Sequence, residues 1–163
     1  DNLTSFYYTN IEIKENKKKD IKYNKDILHQ SKLVNYFNGD YSKAKIEKDI
    51  NNFLKKIKKD KKYFFSKKDQ IFLESLKENS IEISQKYEDL YKVNDAEVPI
   101  VIQVMINNNE KGIALLRIVE VIGQDDLDRI DEDTMYFIIR TLNKLNIDQI
   151  RNKILLKVLP LKV

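Results

Sequence analysis

The scarcity of chain-turning residues is the feature that most constrains this sequence. Three glycines and two prolines are spread over 163 residues. β-Sandwiches and barrels need a turn every several residues, and those turns are usually built with glycine or proline. Hydrophobic residues make up 42% of the chain, which is enough to form a core. The sequence therefore predicts an all-α fold.

Apolar side chains recur with the period of an α-helix in several segments. The clearest stripe follows Ser42 and comprises Ile46, Ile50, Phe53, Leu54 and Ile57. Residues 147–158 carry a second stripe, and Ser66 and Asp69 have the spacing of a capping box. Because the connections are short, we predict about seven helices that form antiparallel hairpins, stacked as a bundle or as a short solenoid-like array.

Three segments have weaker or unusual patterns. Residues 26–37 are predicted to form a helix that ends at Gly39. Residues 98–106 are rich in β-branched side chains, which favours a strand. Because Pro99 suits a helix start and no good partner strand lies nearby, we predict a helix there. Residues 113–122 are apolar around most of the helix circumference and are predicted to form the central buried helix.

The composition changes along the chain. Residues 1–20 combine a charge run with no clear apolar period, and we predict a poorly structured lead-in. Residues 21–163 are predicted to form a single helical domain, with a Lys-rich half at 21–94 and an apolar C-terminal half at 95–163. The apolar runs are shorter than the roughly 20 residues that span a bilayer, so no transmembrane segment is predicted. No signal peptide is visible, and the start at Asp1 suggests a fragment or a processed product.

Lysine dominates the basic residues, and the net charge is +4. A basic segment indicates nucleic acid or an anionic surface as a partner, although an A/T-rich genome also favours lysine codons. Base readers prefer arginine, so binding through lysines would be weak, sequence-independent and lost as salt rises. The lysines predicted to contact nucleic acid or acidic lipid are Lys55, Lys56, Lys58, Lys59, Lys61 and Lys62.

Three consecutive aromatic residues follow these lysines. Tyr63, Phe64 and Phe65 lie between Lys62 and Lys67. Such interleaving can bind single-stranded nucleic acid or a membrane surface. The favoured interpretation is a connection between helices whose aromatic side chains point into the core.

The residue inventory excludes several chemistries. The chain has no cysteine, one histidine (His29) and three widely separated glycines. Disulfides, zinc–thiolate sites, nucleophilic triads and phosphate-cradling loops therefore lack their parts. The acidic residues between 125 and 133 do not match a calcium loop, because Asp131 stands where glycine is required, and we predict that they cap helices. We predict no catalytic residue, no cofactor and no metal, and a structural or exposed position for His29.

Residues 112–163 carry a family resemblance. They contain the apolar run ALLRIVEVIG, an acid-rich turn before MYFIIRTLNKLN, and the ending IRNKILLKVLPLKV. This segment resembles the C-terminal region of large, mostly helical exported proteins of alphaproteobacteria, which often carry the misleading label "antifreeze-like". The resemblance implies a helical, repeat-like array in the periplasm or cell envelope, and it implies no catalytic residues. A cytoplasmic location stays open.

Three functional interpretations follow from these patterns. The first is a non-catalytic helical scaffold or protein-interaction module, the terminal part of a larger helical envelope protein with an unidentified protein partner. The second is an enzyme domain with a site in a groove between helices. The third is a Lys-rich binder of nucleic acid or an anionic surface.

Overall fold

The computed structural model describes residues 21–91, 99–124 and 126–162, and only the backbone of the last two. The predicted lead-in at 1–20 lies outside the described residues. Within them the α-helices are α1 (Lys43–Lys59), α2 (Lys67–Glu78), α3 (Glu88–Tyr91), α4 (Ile100–Asn107), α5 (Lys111–Ile122), α6 (Glu132–Lys144) and α7 (Asp148–Val158). Two 3₁₀ segments precede α1, at Leu28–Gln30 and Lys32–Asn38, and two lie between later helices, at Gln85–Tyr87 and Leu127–Arg129. The predicted all-α fold is confirmed.

Two short strands form the sheet of the described region. β1 (Ile21–Lys22) pairs antiparallel with β2 (Leu161–Lys162), so that Ile21 lies opposite Lys162. The sheet joins the two ends of the described chain and leaves the helices to form the core.

The first long helix forms as its sequence predicts. The Ser42 side chain accepts a hydrogen bond from the backbone N–H of Lys45 and caps α1. The predicted apolar stripe faces inward, with Phe53 partly buried and the other members fully buried: Ile46, Ile50, Leu54 and Ile57. The stripe prediction is therefore confirmed.

The prediction of one helix over residues 26–37 is wrong in its type. The segment forms two 3₁₀ segments that are separated by Ser31, whose backbone is extended. The Ser31 side chain accepts a hydrogen bond from the N–H of Leu33, which gives the backbone a local alternative to a continuous α-helix. The predicted end is correct, because Gly39 has a left-handed backbone (φ 87°) just after the second segment.

The principal packing joins elements that are far apart in sequence. α2 packs against α6, and α7 packs against both α6 and the 3₁₀ segment Lys32–Asn38. An edge-to-face contact between Phe37 and Phe72, with ring centroids 5.8 Å apart, ties that segment to α2. Of the two predicted arrangements, this packing is that of a bundle.

Arg151 lies in the middle of the long-range packing and is 1% exposed. Its guanidinium donates to the side-chain oxygens of Asn143 (3.0 Å) and Asn79 (2.7 Å), and it pairs with Asp148 at 3.0 Å. Burial lowers the pKa of Arg151, and the charge of Asp148 opposes that effect. Arg151 therefore connects the C-terminal ends of α2 and α6 to α7.

Helix, rather than strand, is the conformation of residues 100–107. α4 begins at Ile100, directly after Pro99, whose fixed φ suits a helix start. The helix prediction for this β-branched segment is therefore confirmed, apart from Val98, which lies outside the described residues.

The prediction that residues 113–122 form the central buried helix is wrong. One side of α5 is buried through Ala114, Leu115 and Ile118. The other side faces solvent, and Leu116 is 41% exposed. The main packing partners of α5 within the described residues are α4 and α6. α5 therefore carries more apolar side chains than the described fold buries.

Candidate interaction surface

α4 and α5 expose an unusual number of large apolar side chains. Three of them lie on α4 and four on α5, with exposures between 39% and 77%. We call this set the α4–α5 surface, and its members are Ile100, Val101, Val104, Ile113, Leu116, Val119 and Val121. Only two other large apolar side chains of the described residues are comparably exposed, Ile21 and Phe64.

The local sequence explains why α4 has an apolar outer side. Its inner side carries Ile102 and Met105, which are buried at helical spacing. Its outer side carries Ile100, Val101 and Val104 in place of the polar residues that a surface helix usually presents. α4 carries no charged residue, and its only polar residues are Gln103 and Asn107, so its sequence favours water only weakly on either side.

α5 adds four apolar side chains and one ion pair to the surface. The Arg117 guanidinium lies 2.7 Å from the Glu120 carboxylate, and both side chains are exposed. Their spacing of three residues places them on one face of the helix, between the apolar members of the α4–α5 surface. The two charges cancel, so the surface is apolar with a neutral polar centre.

The size of the α4–α5 surface is large for a chain of this length. At the observed exposures its seven side chains together present on the order of 600 Å² of apolar area on two helices that contact each other. Exposed apolar patches of that size mark interaction sites. The all-round apolarity of residues 113–122 predicted burial within one domain, and the exposed side of α5 was therefore not predicted. The apolarity of residues 113–122 would have indicated an exposed apolar surface if the short length of α4, the helix before it, had been considered. A helix that short covers little of its neighbour.

The six lysines predicted to contact an anionic surface are all exposed. Four lie on α1, and Lys61 and Lys62 lie in the connection after it. Lys56 pairs with Asp26 at 2.6 Å, and the hydrogen bond from Lys56 lowers the pKa of that carboxyl group. Lys58 donates to the backbone carbonyl of Lys86. Within the described residues the other four form no ion pair: Lys55, Lys59, Lys61 and Lys62.

The aromatic residues after these lysines take different positions. The Tyr63 hydroxyl is inside a hydrogen-bond network, and Phe65 is partly buried against the core. Phe64 is 85% exposed, so the prediction that the aromatics point inward is wrong for this residue. The connection is not helical here, and successive side chains of an extended chain point to opposite sides.

His29 lies in a buried network with Asp69 and is 7% exposed. The His29 Nδ1 atom is 2.7 Å from one Asp69 carboxylate oxygen and 3.3 Å from the Ser66 hydroxyl. In a nucleophilic triad the acid and the serine contact different ring nitrogens, whereas here both approach Nδ1. The prediction of a structural role for His29 agrees with this geometry.

The same network perturbs two ionisable groups. Burial by itself raises the pKa of Asp69, but hydrogen bonds and charge from His29, and the backbone N–H of Ser66, outweigh it and lower that pKa. Burial raises the pKa of Tyr63 well above its ordinary value. Asp69 is therefore held as a carboxylate and Tyr63 as a neutral donor, which suits structural hydrogen bonding.

The acidic cluster begins a helix, as predicted. Asp131 precedes α6 and accepts hydrogen bonds from the backbone N–H groups of Asp133 and Thr134 and from the Thr134 hydroxyl. These hydrogen bonds lower the pKa of Asp131. Asp125 lies outside the described residues, and no group of three or more metal-ligating side chains occurs among those described.

An open groove of about 950 Å³ runs between the N-terminal segment and α1, and it is one candidate position for an enzyme site. Its lining includes Tyr23, Phe53, Asp26 and Asp49. A catalytic general acid needs a raised pKa, whereas Asp26 is paired with Lys56 and its pKa is lowered. The groove therefore offers contact area and polar groups, but its paired carboxylate is unsuited to acid catalysis.

The comparisons with other proteins add no family assignment. No family model, no curated protein and no solved structure matches this chain. Among the described helices, none has both the length and the apolar content required to cross a bilayer.

Proposed function

We propose that this chain is a non-catalytic helical protein-interaction module that binds a protein partner through the α4–α5 surface. The single observation that carries the proposal is the set of seven exposed apolar side chains on two adjacent helices. Covering on the order of 600 Å² of apolar area would contribute about 15 kcal/mol before the losses of association are subtracted. That driving force makes the surface the strongest candidate for specific recognition.

The chemistry of the surface favours protein over nucleic acid or lipid headgroups. α4 carries no charge, and the α5 charges at Arg117 and Glu120 neutralise each other. Nucleic-acid interfaces are strongly positive, whereas the centres of protein interfaces are depleted in charge. In line with the resemblance of residues 112–163, we place this module in a larger helical protein of the cell envelope.

Site-specific photo-crosslinking in the producing cell tests the proposal. A photoreactive amino acid replaces Val104 on the α4–α5 surface, and as a matched control it replaces Lys153, which is exposed on α7. We expect a discrete protein adduct from position 104 that disappears when Leu116→Asp is added, and no such adduct from position 153. Equal labelling at both positions, or none at 104, contradicts the proposal. Cell fractionation tests the envelope location separately.

Phe64 supports a second candidate function, contact with an anionic membrane surface. It is 85% exposed and follows the exposed Lys61 and Lys62, an arrangement suited to an aromatic side chain entering the headgroup region. We expect sedimentation with vesicles that contain phosphatidylserine, with weaker binding by Phe64→Ser and at high salt. Equal binding to neutral vesicles contradicts this function.

A further inference from the structure

We infer that the partner of the α4–α5 surface is a second copy of this chain, which forms a two-fold symmetric dimer. The inference rests on the proposed function, because it requires this surface to bind protein. It adds the identity of the partner, and three properties of the surface support it.

The first property is the area. A specific interface buries about 1,200–2,000 Å² in total, so each partner contributes 600 Å² or more. The α4–α5 surface supplies on the order of 600 Å² of apolar area from its seven side chains alone. Two copies therefore reach the lower end of that range without any other contact.

The second property is the charge pattern. In a two-fold interface every contact occurs twice. If one residue of the first copy contacts a different residue of the second copy, the same two positions also make contact with the copies exchanged. Arg117 and Glu120 are exposed, opposite in charge and adjacent on one helix face. About a two-fold axis, Arg117 of each copy can approach Glu120 of the other, so like charges need not meet. The surface is therefore electrostatically complementary to itself.

The third property is the shape and stiffness of the two helices. Residues 108–110 connect α4 to α5, so the helices form a short hairpin. Two such hairpins pair readily as a four-helix arrangement, which would cover α5 on the side that the described fold leaves open. All but one of the surface residues are β-branched and have few rotamers to lose on binding.

The first test is the mass of the chain in solution. The monomer mass is 19.4 kDa. We expect light scattering after size exclusion to give about twice that mass at high concentration, with dissociation on dilution because the interface is small. A monomer at every concentration overturns the inference.

Charge reversal gives a sharper test of two-fold pairing. Arg117→Glu leaves two acids on each copy, and Glu120→Arg leaves two bases, so each variant alone should dimerise at least about tenfold more weakly than the wild type. An equimolar mixture of the two variants should recover the dimer, since acids then face bases. Lys153→Glu, an exposed change on α7, serves as the control and should leave the dimer unchanged.

The outcomes separate this inference from the proposed function. If the mixture does not recover the dimer, or if each variant dimerises like the wild type, the second copy does not bind through this surface. If Val104 crosslinks only to a different protein, the inference is overturned and the proposed function stands. If the chain is monomeric and Val104 gives no adduct, both fail. Circular dichroism of each variant establishes that it has folded.

Discussion

At the scale of the residue, Asp69 shows how one side chain can join distant segments. Its carboxylate accepts hydrogen bonds from the backbone N–H groups of Ser66 and His29, from the His29 ring, and from the Tyr63 hydroxyl. Tyr63 in turn accepts a hydrogen bond from the N–H of Leu28. Asp69, the third residue of α2 and the acidic member of its capping box, therefore also fixes the N-terminal 3₁₀ segment on the core.

Replacing Asp69 by alanine should strongly destabilise the fold. The substitution leaves several donors unsatisfied in a buried site, and we expect the free energy of unfolding to fall by about 3–5 kcal/mol. The control is Asp40→Ala, because Asp40 is exposed, and it should change the free energy by less than about 0.5 kcal/mol. Urea unfolding followed by circular dichroism measures both. If Asp69→Ala lowers the free energy of unfolding as little as Asp40→Ala does, the hydrogen-bond network contributes no stability.

The lowered pKa of Asp69 predicts how stability depends on pH. In the unfolded chain this carboxyl group titrates near its ordinary value of 3.8, and in the folded protein it titrates lower. As pH falls, the unfolded state therefore binds the proton first, so the stabilisation is fully present well above the unfolded pKa and is lost as pH falls through the folded pKa. Asp69→Asn should flatten the decline in unfolding free energy as pH falls below about 4. An unchanged slope would refute the assignment.

Local spacing predicted part of this network. Ser66 and Asp69 are three residues apart, and the capping box that this spacing indicates is present. His29 is 40 residues from Asp69 in sequence, and no local pattern relates the two. The sequence therefore predicted the cap, whereas the buried partner required the tertiary fold.

At the scale of the element, α5 has two apolar sides with different surroundings. Ile118 is 2% exposed and Leu116 is 41% exposed, although they are two residues apart. Ile118→Ala should leave a cavity and lower the free energy of unfolding by about 2–5 kcal/mol. Leu116→Ala should lower it by less than about 1 kcal/mol under monomeric conditions. Chemical denaturation of the two variants at low protein concentration measures the difference. A larger effect at Leu116 than at Ile118 would contradict the assignment of Ile118 to the buried side of α5.

The boundaries of elements were predictable where side chains act on their own backbone. Ser42 and Asp131 begin α1 and α6 by capping them, and Gly39 ends a 3₁₀ segment with a left-handed backbone. The type of element was less predictable at Ser31. There a serine in an apolar pattern forms a local hydrogen bond that interrupts the helix, and the periodicity of its neighbours contains no sign of this competition.

At the scale of the whole molecule, Arg151 connects three helices through its planar guanidinium. Arg151→Lys keeps the charge but cannot reach Asn143 and Asn79 together, because an ammonium lacks the forked donors. We expect the free energy of unfolding to fall by about 2–4 kcal/mol, with little change for the exposed control Lys153→Ala. Thermal and urea unfolding measure this. A lysine variant as stable as the wild type would show that packing alone joins these helices.

The sequence by itself determined the helical class of this protein, the inward stripe of α1 and the caps at Ser42, Ser66 and Asp131. These features depend on contacts within one or two helical turns, so residue spacing encodes them. Only the tertiary structure decided that α2 packs on α6, that His29 meets Asp69, and that one side of α5 faces solvent. The physical reason is that apolarity is not directional: it requires a side chain to leave water but does not specify which surface will cover it.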